Sequence, residues 1–120
     1  MLAQEIIRHK RDGHALDRAQ IDAFVGGLVD ASWSEAQAAS LMLRCIADDA
    51  QAAGRVGFKP SGGIRTVAEA AVYIALCEQV LGRQAVQPRR FRFGASGLLN
   101  DIEALLSGRS APPKPAPGSY

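Results

Sequence analysis

A chain of 120 residues with 48% hydrophobic content can build one modest core, or two small packed units sharing one, which excludes a disordered tail. Its fourteen basic and twelve acidic residues leave a net charge of +2 with no dense basic stripe, so nothing calls for nucleic acid or an anionic membrane. The longest apolar run, "AAVYIALC", is too short to span a bilayer, and the N-terminus lacks a signal peptide, so the expected compartment is the cytoplasm.

The first half reads as helices. Leu2, Ile6 and Ile7 form a short amphipathic helix ending at Gly13, and Asp17 with Gln20 makes a capping-box start for the next. Ile21, Phe24, Val25, Leu28 and Val29 follow at helical spacing and predict one buried stripe. After the "DASW" turn, Ser34 and Gln37 repeat the capping box, and Ala38, Leu41, Met42, Cys45 and Ile46 supply a third stripe that runs on to Gly54. Short helices joined by tight turns predict a three-helix bundle.

Beyond Gly54 the period changes from near four to two. Val56 and Phe58 point one way, Gly57 and Lys59 the other, as in a strand. Thr66 and Glu69 cap a helix carrying Ala70, Tyr73, Ile74, Cys77 and Leu81, closed by Gly82. A second strand, "RFRFGA", puts Phe91 and Phe93 on one face, and Ser96 opens a last helix with Leu98, Leu99, Ile102, Leu105 and Leu106 up to Gly108. Strand, helix, strand, helix favours two parallel strands with a right-handed crossover. The fold class is therefore mixed α and β, dominated by helices: a helical segment over residues 1–53, a β-α-β-α unit over 54–109, and a proline-rich extended tail over 110–120. Two strands leave unpaired edges, which predicts a homo-oligomer or the helical half folded over the sheet.

Cys45 and Cys77 fall on apolar helical stripes without metal-ligand spacing, and His9 and His14 read as surface residues, so neither metal nor cofactor is expected. Two glycine-rich loops, Ser61-Gly62-Gly63 and Gly94-Ala95-Ser96-Gly97, place free N–H groups at helix starts on one side of the strands. They read either as a phosphate cradle or as tight strand-to-helix turns. Lys59 reads likewise either as a solvated edge charge or as a catalytic amine beside that cradle.

"VGFKPSGGIRTVAEAAVYIALCEQVLG", then "RFRFGASGLLNDIEALLSG" and a chain-terminal Tyr120, resemble the C-terminal end of deoxyribose-phosphate aldolase, a (β/α)₈ barrel enzyme. The resemblance implies that the β-α-β-α unit is the last quarter of that barrel, its two strands the seventh and eighth. It further implies that Lys59 matches the second active-site lysine, which assists proton transfer, and that Tyr120 matches the terminal tyrosine that moves the substrate proton. Gly62, Gly63, Ile64 and Arg65 match one phosphate-binding turn, and Gly94 and Ser96 the other; Gly97 stands where the family commonly has a serine.

"LAQEIIRHKRDGHAL" and "WSEAQAASLML", over residues 2–48, resemble the N-terminal helical segment of thymidine phosphorylase, whose small helical domain contributes to dimer contacts. The seam falls over residues 48–55. The aldolase's Schiff-base lysine belongs to an earlier strand, and the only other lysines here, Lys10 and Lys114, lie in the first helix and the tail. The leading expectation is thus a fusion remnant of deoxynucleoside catabolism that binds a sugar phosphate such as deoxyribose 5-phosphate with little or no catalysis. The alternatives are a working aldolase-type lyase completed by Lys59 or by a partner chain, and a non-catalytic oligomerisation module.

Overall fold

Five α-helices and one 3₁₀ turn carry the regular structure of residues 1–108, which a computed structural model describes. In chain order they are α1 (Ala3–Arg11), α2 (Arg18–Val29), α3 (Glu35–Asp48), α4 (Val67–Leu81), the 3₁₀ turn (Arg83–Ala85) and α5 (Leu98–Leu106). The two capping boxes expected from sequence both form. Gln20 N donates to Asp17 at 2.8 Å while Asp17 N donates to the Gln20 side chain at 2.9 Å; Ser34 and Gln37 exchange the same pair at 3.1 and 2.9 Å.

α1 lies along α3, burying Ile6 against Leu41 and Trp33, with Lys10 paired to Asp48 at 2.6 Å. Of the stripe expected on α2 only Phe24 turns inward: Val25 is 51% and Val29 85% exposed, and Ile21 and Leu28 are exposed as well. The inward face instead runs through Gln20, Ala23, Phe24 and Gly27, at the same helical spacing one register away. Trp33 decides the rotation. Its ring occupies the place a Cβ on Gly27 would take and meets Phe24 edge-on at 5.1 Å, so the face without a side chain at position 27 must face the core.

α3 stops at Asp48 rather than near Gly54. The Asp49 carboxylate accepts from Gln51 N at 2.8 Å and from Ala52 N at 3.2 Å, a local turn that competes with helix continuation. Met42, expected inside, is exposed. α4 starts at Thr66, whose hydroxyl accepts from Glu69 N at 3.1 Å, and ends at Gly82, with φ +92°. α5 has Gly97 rather than Ser96 as its N-cap residue, and buries Leu98, Asp101 and Ala104 while Leu99, Leu105 and Leu106 stay exposed.

The two expected strands are not formed as strands. They meet only in isolated parallel bridges, Phe58 with Phe91 and Ser61 with Gly94, and among the described residues there is no strand. The pairing keeps one register: Phe58 N donates to Arg90 O at 2.7 Å, Arg92 N to Phe58 O at 3.2 Å, and Gly94 N to Pro60 O at 2.9 Å. Pro60 sits where the next rung needs an N–H, so the ladder breaks between the two bridges. From Phe58 on the faces alternate as expected, with Phe58 and Phe91 buried and Lys59 and Arg92 exposed, but Val56, expected on the Phe58 side, is exposed. Phe58, Phe91, Cys77 and Ala85 share one core cluster with Ala39 and Leu43 of α3, so one core is built from both halves of the chain.

Candidate functional site

The common register brings the two glycine loops together. An ideal Cβ on Gly94 would collide with Ser61 Oγ and lie 3.1 Å from Lys59 Cε, so the lysine stem crosses Gly94 and only a residue without a side chain fits beneath it. Gly62 and Gly63 both take positive φ, +82° and +72°. Among the described residues their N–H groups make no hydrogen bond, which leaves two donors at the turn.

The α4 N-terminus behind that turn is already supplied with acceptors. Val67 N donates to the buried Asp101 carboxylate of α5 at 2.7 Å, and Arg65 N donates to Glu69 at 2.9 Å. The positive end of the helix is thereby met by the chain's own carboxylates rather than left for an anion. Arg65 is half-buried, with its Nε enclosed and unpartnered, so its charge is partly withdrawn from solvent.

A third carboxylate comes from the helical half. Glu35, the first residue of α3, lies over the turn: a Cβ on Gly63 would be 3.3 Å from Glu35 Oε2. Burial, together with Glu35 and Glu69, pushes the Tyr73 phenol above its ordinary value of 10.0. A cavity of about 420 Å³ opens here, lined by Leu28, Trp33 and Met42 from the helical half and by Lys59, Ser61 and Tyr73 from the other.

Of the residues singled out in sequence, Lys59, Gly62, Gly63, Ile64, Arg65, Gly94 and Ser96 lie on the two paired loops and their flanks. Ile64 is buried with Ala70 and Leu98 and serves the core. Tyr120 and Lys114 lie outside the described residues. Among the described residues no three His, Cys, Asp or Glu side chains gather as a metal site. Sequence reading missed Glu35 and Asp101. Glu35 stands 28 positions before Gly63 in a different segment, and no local pattern links them. Asp101 has the i to i+34 partner Val67, equally invisible to periodicity.

Residues 4–45 match the family model described as "Glycosyl transferase family, helical bundle domain". The chain is also 44% identical over 82 residues, 68% of its length, to a deoxyribose-phosphate aldolase of Agrobacterium fabrum, of which it covers 30%. A match of 82 residues cannot fit after position 45 of a 120-residue chain, so it runs back into the helical segment. No solved structure matches the chain significantly. The chain is thus similar over residues 4–45 to a glycosyl transferase helical bundle domain and over 68% of its length to deoxyribose-phosphate aldolase, and it spans under a third of that relative's length.

Proposed function

We propose that this chain is a cytoplasmic sugar-phosphate-binding remnant in which the two paired glycine loops hold the phosphate of a small ester such as deoxyribose 5-phosphate, without aldol cleavage. The observation that carries the reading is the packing of Lys59 and Ser61 across Gly94, which sets both loops and the one lysine of this segment side by side. The unengaged N–H groups of Gly62 and Gly63 would donate to phosphate oxygens, Ser96 would add a hydroxyl, and Lys59 would face the sugar. Cleavage needs a second amine to form the Schiff base and a base at the hydroxyl; the described residues offer only Lys10, which is held by Asp48 at 2.6 Å. Glu35 and Glu69 oppose the anion, so the affinity is weak. The exposed Ile21, Val25, Leu28 and Val29 on α2 favour self-association of the chain through that helix.

Amide spectra during titration with deoxyribose 5-phosphate test the binding. Shifts should centre on Gly62, Gly63 and Ser96, and Glu35→Gln should tighten binding about threefold by removing one carboxylate at this distance. Shifts elsewhere, or a Glu35→Gln variant that binds no better, would reduce the glycines to turns.

A further inference from the structure

We propose that the face of the paired segments opposite the aromatic core, where Arg89, Arg90 and Arg92 converge above Gly57, is a binding site for a diphosphate or triphosphate group. Alternation places Arg92 on the side away from the buried Phe91, and Arg89 and Arg90 close the turn before it, where Arg90 N and Phe91 N both donate to Gln87 O, at 2.9 and 2.8 Å. The result is a concavity of about 270 Å³ lined by Gly57, Lys59, Pro88 and the three arginines. The two backbones approach closely at its floor, where a Cβ on Gly57 would lie 3.1 Å from Arg90 O.

Two of the guanidinium groups are held by neutral acceptors. Arg90 Nη2 donates to Ala53 O at 2.6 Å and to Val56 O at 3.3 Å, while Arg92 Nε donates to Pro88 O at 2.8 Å. Carbonyls orient these groups without cancelling their charge, and Arg90 Nε is enclosed with no acceptor at all. The ion pairs among the described residues are Lys10 with Asp48, Arg11 with Asp12 and Arg18 with Asp22; none touches this face. Like charges gathered in one hollow repel unless an anion joins them, and pre-oriented guanidinium groups lose little entropy in binding one. The three guanidinium groups, with Lys59 beside them, outweigh the charge of a phosphate monoester and suit that of a di- or triphosphate. Phe58 and Phe91 also border the hollow, but both are more than nine-tenths buried in the core cluster that Phe93 packs against, so no exposed ring is offered for base stacking, which disfavours single-stranded nucleic acid.

The test is calorimetric titration of the full chain with tripolyphosphate, pyrophosphate and orthophosphate, followed in parallel by amide and arginine Nε resonances. Tripolyphosphate should bind tightest, shift the Nε signals of Arg90 and Arg92 and the amides of residues 57 and 89–92, and raise the melting temperature. The double variant Arg89→Gln, Arg92→Gln should lose about tenfold in affinity, while the Arg89→Lys, Arg92→Lys pair keeps most of it. The proposal falls if orthophosphate binds as tightly, if the shifts lie only at residues 62–65 and 94–96, if the glutamine variant binds unchanged, or if an oligonucleotide displaces tripolyphosphate at lower concentration. The wild-type resonances decide the matter even where the glutamine variant does not fold. Lys59 borders both sites, so the two readings are separated at the residues they do not share: failure at Arg89, Arg90 and Arg92 leaves the glycine-loop reading standing, and failure at Gly62, Gly63 and Ser96 leaves this one.

Discussion

The helical half, α1 to α3, and the paired half beyond residue 55 carry equally clear hydrophobic periods, yet all three helices of the one form, α3 shorter than its period predicts, and the strands of the other only as two bridges. A helix satisfies its backbone within itself, so α1, α2 and α3 need only a face to bury. A parallel strand must borrow its partners. Among the described residues, segments 58–61 and 91–94 pair only with each other, and Pro60 withholds one donor from a pair that makes three bonds in the stretch. The contrast teaches that two segments can keep their register and loop contacts without the wider sheet that would make them strands.

The largest effect should come from the helical half. Gly27→Val drives a side chain into the Trp33 ring and should cost about 2–4 kcal/mol in chemical denaturation. Gly26→Ala, one position away with nothing within 4 Å, should instead stabilise by about 0.5–1 kcal/mol. If both changes act alike, Trp33 does not set the rotation of α2.

In the paired half the weight shifts from packing to polar capping. Asp101→Ala leaves Val67 N without its buried acceptor and should cost about 1–2 kcal/mol, with faster amide exchange confined to the first turn of α4. Asp101→Asn keeps an acceptor and should recover most of that loss. Exchange that rises uniformly across the chain would mean that the two halves unfold as one unit.

The smallest effect is expected where the comparison is sharpest. Pro60→Ala supplies the missing N–H opposite Arg92 O, and its gain of one hydrogen bond is about balanced by the restored freedom of the unfolded chain, so stability should change by under about 1 kcal/mol. The readout is local: the new amide at position 60 should be protected, and the Arg92 and Gly94 amides should exchange more slowly than in the parent. An unprotected amide at that position would show that proline is not what interrupts the ladder.

The capping pairs Asp17–Gln20 and Ser34–Gln37, the Thr66 start and Gly82 end of α4, and the alternation of Phe58 with Lys59 all depend on neighbours within four positions, and all are legible in the sequence. The register of the two glycine loops is implied by their spacing and resemblance. Three features are not legible, because each rests on a partner outside its own local pattern. Trp33 rotates α2 by one register, Asp101 occupies the N-terminus of α4, and Glu35 reaches across from the helical half to cover Gly63. Local hydrogen bonding and side-chain period are properties of a short string, so the string suffices for them. The electrostatic sign of a loop, and the face a helix buries, are sums over whatever the fold brings near, and only the packed chain decides those.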